Sequence, residues 1–227
     1  VIDKDGNQIA HHSHFLISDT EIRWSLLFGN SFINSSIMLR KNVLIKNKLK
    51  YDQFAEPSED YELYNRLLRY GFANNIAEPL IKYRIHPEQL SGLFNLRQIA
   101  VVERICQANM KSLGLNLSIP EIKILRSWYA EFPLLSSRKD MIRCGMFLYA
   151  LWNLKRQENV DLQIINQIGK SLISRILFAI PSEKLTNLKT LQNVWSSDLL
   201  SLMICHDPRS VFMHVPDRIM KKVQSLI

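Results

Sequence analysis

From about Leu93 onward the chain is a succession of helix starts and helix stops, and this punctuation restricts its fold more than any single motif. "LFNLRQIAVVERICQANMKSLG" reads as one long helix that closes near Gly114, since glycine suits the left-handed residue that ends many helices. "SIPEIKILRSWYAEF" opens on Ser118 with Glu121 three residues on, a capping box. It must end before Pro133, because proline pushes the residue before it out of the helical region. Ser137 with Asp140 opens a third helix through "MIRCGMFLYALWNLKRQ". "DLQIINQIGKSLISRILFAI" is a fourth, stopped by Pro181, and "SEKLTNLKTLQNVWSSDLLSLM" a fifth, before the turn "HDPRS" and a last short helix.

The first third reads differently. "VIDKDGNQIA" alternates around Asp5-Gly6, a dipeptide suited to a hairpin turn. "TEIRWSLLFG" is a short helix, with Ile22, Leu26 and Leu27 at helical spacing and Gly29 as its stop. "SSIMLRK" looks extended. The helix from Ser58 carries Tyr61, Tyr64, Leu67 and Leu68 and closes at Gly71, and "FANNIAEPLIKYRIH" gives two short strand-like pieces. The expected architecture is therefore α/β with a few strands over 1–92, followed by a mainly α-helical domain over 93–227, divided near Gly92.

Lys and Arg total 29 against 21 acids, a formal charge of +8, which favours an anionic partner: nucleic acid, an acidic membrane surface or a phosphorylated small molecule. Cys106, Cys144 and Cys205 stand far apart with no paired spacing, which suits reduced, mostly buried thiols in a cytoplasmic protein. The longest apolar run, "GMFLYALW", is too short to span a bilayer. The first residue is not Met and no element precedes the hairpin, so the chain is expected to be a fragment entered mid-domain.

Three stretches fall in a suggestive order: "NSSIMLRK" (Asn34 to Lys41), "SEDYELYNRL" and "EPLIKYRIHPEQLS" (Glu78 to Ser91). Together they resemble the second half of the catalytic domain of family-two glycosyltransferases, which have the GT-A fold. The resemblance covers Val1 to Ser91. It implies that Asp60 is the general base, taking the proton from an acceptor hydroxyl as that oxygen attacks the sugar's anomeric carbon with inversion. It implies that Glu59, Met38 and Arg40 line the acceptor side, and that Arg84, His86 and Gln89 meet the donor diphosphate, with His86 also near a metal. The implied partners are a nucleotide-diphosphate sugar and a saccharide or lipid-linked acceptor; the implied cofactor is Mg²⁺ or Mn²⁺. "VIDKDGNQI" looks like the segment that follows the family's metal-binding acids. The main metal ligands and the donor-binding half-sheet are thus expected to be absent from this chain, leaving it inactive alone.

The chemistry of the residues is compatible with those roles. A helix N-terminus favours a charged carboxylate, arginine can grip a phosphate with two donors, and a neutral histidine can ligate a metal. Without its flanking stretches, an acid pair in a first helical turn is usually a dipole partner; the alternative for Arg84 is a pair with a nearby acid, and for His86 a turn residue bonded to backbone. "HHSH" (His11, His12, His14) resembles a metal site, but no acid or thiol cluster completes it, and a solvated loop is the better reading. "LRKNVLIKNKLK" holds five cations and no acid; it could meet an anionic acceptor, phospholipid headgroups or RNA, with a solvated helix face as the default. No nucleic-acid motif accompanies it.

Arg138, Lys139 and Arg143, with Lys170 and Arg175, fit an interfacial helix or, better, the polar flank of a helical bundle. Peripheral contact with the inner face of a membrane therefore stays open. The alternative to an enzyme is a non-catalytic helical adaptor that binds a protein partner or an anionic membrane.

Overall fold

A computed structural model describes residues 1–10, 16–86, 95–135, 137–157 and 160–179. Among them stand seven α-helices: α1 (Asp19–Leu26), α2 (Lys41–Lys46), α3 (Glu59–Leu67), α4 (Asn95–Ser112), α5 (Ile119–Ala130), α6 (Arg138–Lys155) and α7 (Leu162–Ala179). Two 3-10 turns, Asn34–Ser36 and Gln53–Ala55, interrupt the first part. The chain divides into two units. The first is Val1–Ser112 with Asn116–Ile122; the second is Leu113–Leu115 with the chain from Lys123.

The α/β expectation for the first part is overturned, and with it the GT-A sheet. Among the described residues there is no strand, only two isolated bridges, and both fall on Ile2: antiparallel to Gln8 and parallel to Arg84. Ile2 donates to the Tyr83 carbonyl (2.8 Å) and accepts from the Ile85 amide (2.9 Å). An extended segment becomes a strand only when successive amides and carbonyls find neighbours, and here the ladder is one residue long. "SSIMLRK" is not a strand either: it is a 3-10 turn, four extended residues, then the start of α2. The turn at Asp5-Gly6 does form, with Gly6 at φ 94° and the Asp3 carboxylate gathering the chain around it.

The helices form where their caps stand. Ser18 with Glu21 builds a reciprocal capping box at α1, and Ser137 with Asp140 another at α6. Ser118 donates from its amide and its hydroxyl to Glu121 at the head of α5. Gly114, at φ 82°, follows α4 as anticipated. By contrast α3 ends at Leu67, short of Gly71. The fifth helix, the last helix, "HHSH", Gln89, the division near Gly92 and Cys205 lie outside the described residues.

In the first unit, α3 is anchored through its buried face. Tyr61, Leu63 and Tyr64 are buried on it, alongside Ile22 and Leu26 of α1 and Cys106 and Met110 of α4 in the unit's core. Each fully buried large side chain contributes about 1.5–3 kcal/mol through lost apolar exposure. A buried polar knot adds direction. The Tyr61 hydroxyl donates to the Leu26 carbonyl and lies 3.3 Å from the Cys106 sulfur. Asn109 donates to the same carbonyl and to Asn65, both at 2.9 Å. The end of α1, the middle of α3 and α4 are thereby tied at one point, and this fixes the direction in which α3 presents its first turn.

The second unit is helical in its described part. Phe147, Leu148, Leu151 and Cys144 of α6 and Ile165, Leu172 and Ile176 of α7 form its core. Arg175 donates to the Trp128 and Tyr129 carbonyls, satisfying the exposed end of α5, and sits 5.2 Å over the Phe132 ring. Arg143 pairs with Asp140 (2.8 Å) and covers the Trp128 ring. Two of the cations that invited a membrane reading of this part are therefore internal fittings of the helical unit.

Candidate functional site

Asp60 sits in the first turn of α3, half-buried, with an acceptor oxygen turned to each of two donors. Its Oδ1 takes the Tyr61 amide (2.7 Å), one of the helix-start amides that have no partner within a helix. Its Oδ2 takes Nδ2 of Asn30 (3.1 Å). Asn30 is itself set by its own loop, because its Oδ1 accepts from the Phe32 amide (3.1 Å). Two residues further on, the Phe32 ring meets Tyr64 edge-on, with centroids 5.3 Å apart. The Tyr64 hydroxyl donates to Oδ1 of Asn34 (2.7 Å). Burial, with Asp60, Tyr51 and Glu59 close by, pushes that hydroxyl well above its ordinary value, so Tyr64 remains a neutral donor. The loop 30–34 is thus fastened to α3 at two residues, Asp60 in its first turn and Tyr64 further along.

Around that junction three buried polar atoms have no hydrogen-bond partner among the described residues: Oγ of Ser31, Oγ of Ser58 and Oε2 of Glu59. Ser58 occupies the helix cap position, yet its hydroxyl does not cap α3, and it is only 2% exposed. Such atoms cost about 1–3 kcal/mol each when left unsatisfied, so they mark a place where bridging water or a ligand hydroxyl is expected.

The other residues expected at a site stand on the first unit's extended segments. Met38 is 97% exposed, on the extended run that leads into α2, and Arg40 is exposed at its end. Arg84 is exposed, and its Nη1 donates to the carbonyls of Asp3 (3.0 Å) and Lys4 (2.6 Å), closing the N-terminal turn over the 83–85 segment. His86 follows on the same exposed segment. The structure therefore joins Asp60, Glu59, Asn30 and Tyr64 in one neighbourhood and gives Arg84 a backbone partner of its own. Asn30 and Ser31 carry no sequence signal beyond their place after the Gly29 stop.

Among the described residues no three His, Cys, Asp or Glu side chains come together as metal ligands. Asp3 and Asp5 stand at Asp-x-Asp spacing, but the Asp3 carboxylate accepts from the amides of Asp5 and Asn7 and from the Asn7 side chain. Those bonds, the Asn7 side chain foremost, hold it below the usual carboxylate range as a turn cap. Among the described residues no set of side chains fits a divalent ion. No helix among them is long and apolar enough to cross a membrane.

A curated protein of Haemophilus influenzae (strain ATCC 51907 / DSM 11121 / KW20 / Rd), named an uncharacterized glycosyltransferase, is 31% identical to this chain over 103 residues. The match takes in 45% of this chain and 32% of that relative's length. No family model and no solved structure matches the chain.

Proposed function

We propose that this chain carries the acceptor side of a glycosyltransferase site, of the family-two kind, with Asp60 as the general base. The observation that carries the reading is the Asp60 carboxylate: half-exposed in the first turn of a firmly packed helix and aimed by Asn30. The name of the Haemophilus relative supports the reaction class. The substrates in this reading are a nucleotide-diphosphate sugar and a hydroxyl acceptor, a saccharide or a lipid-linked one.

In the reaction the acceptor oxygen forms a bond to the anomeric carbon from the face opposite the leaving group, so configuration inverts. Its proton passes to an Asp60 oxygen, and the bond from the anomeric carbon to the diphosphate oxygen breaks with its electron pair leaving on the nucleoside diphosphate. A positioned base of this kind contributes about 10²–10⁴-fold to rate. Glu59, beside it, contacts the acceptor, and the unpartnered oxygens of Ser31, Ser58 and Glu59 suit a ligand rich in hydroxyls. Arg84, His86 and Gln89 are assigned to the diphosphate end. Arg84 could take that role with the guanidinium nitrogens other than Nη1.

The reading is tested on the full protein encoded by the gene that contains this segment, supplied in turn with a panel of nucleotide sugars and candidate hydroxyl acceptors. Acceptor-dependent release of nucleoside diphosphate, with a product of inverted anomeric configuration, is the expected result. A retained configuration, or no release beyond slow hydrolysis across the panel, contradicts it.

A further inference from the structure

The stretch from Met38 to Phe54 combines two features that a buried surface would not hold together. Its large apolar side chains face outward: Met38 is 97% exposed, Phe54 81%, Ile45 63% and Tyr51 54%. α2, within it, has no buried residue at all. Between them stand Arg40, Lys41, Lys46, Lys48 and Lys50, none of them ion-paired among the described residues, against one acid in the stretch, Asp52, whose carboxylate caps the Gln53–Ala55 turn. Covering this stretch with apolar protein would desolvate several unpaired cations, which is unfavourable. The headgroup layer of an anionic bilayer accepts both kinds of group, because it hydrates and neutralises lysines while apolar side chains enter the acyl boundary.

The backbone supplies a second observation. α2 ends in a Schellman motif: the Leu49 amide bonds to the Leu44 carbonyl (2.9 Å) and the Lys48 amide to the Ile45 carbonyl (3.2 Å). The left-handed residue of that motif is Lys48, at φ 52°, the only non-glycine residue with positive φ among those described. Glycine holds this conformation at no steric cost and lysine does not. A cation stands where the backbone favours glycine.

We propose that Met38 to Phe54 is a docking surface for the headgroup layer of an anionic phospholipid bilayer. Lys41, Lys46, Lys48 and Lys50 meet lipid phosphates, and Met38, Ile45, Tyr51 and Phe54 enter the boundary. RNA is the poorer occupant, since stacked bases offer nothing to the aliphatic Met38 and Ile45. The proposal is independent of the glycosyltransferase reading, and its test reads binding rather than turnover.

The test is co-sedimentation of the full chain with vesicles of phosphatidylcholine, pure or mixed with phosphatidylglycerol, across a sodium chloride series. Binding to the mixed vesicles that weakens with salt is expected, with little to pure phosphatidylcholine. Each lysine near such a surface is worth about 1 kcal/mol, so Lys41→Gln with Lys46→Gln weakens partitioning by roughly 25-fold. Lys48→Gly weakens it by about fivefold while raising folding stability, which separates lost binding from lost fold. Arg143→Gln with Lys170→Gln leaves binding unchanged. Equal binding to both vesicle types, binding indifferent to the three lysines, a loss confined to the Arg143 and Lys170 variant, or retention of single-stranded RNA without vesicle binding each overturns the proposal.

Discussion

Asn30 donates from Nδ2 to Oδ2 of Asp60 across 3.1 Å, and the two residues lie 30 positions apart in the chain. The asparagine is fixed from its other side by the Phe32 amide, so its amide group is a bracket between a loop and the head of α3. In the proposed site this bracket sets which carboxylate lone pair faces the acceptor hydroxyl. A single hydrogen bond of this kind is worth about 0.5–1.5 kcal/mol, more when the acceptor is charged. Asn30→Ala in the full protein is therefore expected to lower kcat about tenfold with KM for the donor little changed. Steady-state kinetics of that variant, with its helical content checked by circular dichroism, measure this.

The knot at the Leu26 carbonyl predicts an effect on stability rather than on turnover. Tyr61→Phe removes one of its two side-chain donors and leaves Asn109 as the other. Urea unfolding should show a loss of about 1 kcal/mol, and Asn109→Ala about 1–3 kcal/mol, because Asn65 loses a partner as well. The double variant should cost more than the sum of the singles, since only it leaves the Leu26 carbonyl without a side-chain donor.

Lys48 offers a change in the opposite direction. Replacing it with glycine relieves a left-handed backbone at φ 52° and should stabilise the protein by up to about 1 kcal/mol. The unfolded chain gains freedom in the same step, which trims the benefit. A rise in urea midpoint with an unchanged slope is the expected observation.

Cys144 makes stability depend on alkaline pH. Burial first, and Asp140 second, push its thiol up from 9.0 to about 12. The unfolded chain releases this proton at lower pH than the folded one. The stability it contributes is full below about 9 and is lost as pH rises towards 12. Cys144→Ala should flatten that decline in unfolding experiments across the window. Near neutral pH the native protein should leave both Cys106 and Cys144 unalkylated, since both are buried, and peptide mass spectrometry reads this site by site.

The helices were legible because their signals are local. Ser137 with Asp140, Ser118 with Glu121, and Gly114 each act on residues within one turn, so short windows of sequence contain the cause. Strands are not legible in the same way, because alternation states only what a segment could pair with. Ile2 finds Gln8 and Arg84, but its neighbours do not extend either bridge, and "SSIMLRK" spends its residues on a 3-10 turn and the start of α2. Asp60 was visible as an acid at a helix start. Its partner Asn30 was not, because that bond depends on how a loop returns to α3 through the contacts of Phe32 and Tyr64. The bonds from Arg84 to the carbonyls of Asp3 and Lys4 were not legible either, because no spacing announces a backbone role.

The most direct test of the central claim compares Asp60→Asn with Glu59→Gln in the full protein, once a donor and acceptor pair gives turnover. Asparagine keeps the size of Asp60 and its place in the first turn of α3 but cannot take up a proton. Acceptor-dependent release of nucleoside diphosphate should fall by about 10²–10⁴-fold in Asp60→Asn. Glu59→Gln should act mainly on KM for the acceptor. Turnover by Asp60→Asn at the unmodified rate would contradict the assignment of Asp60 as the base.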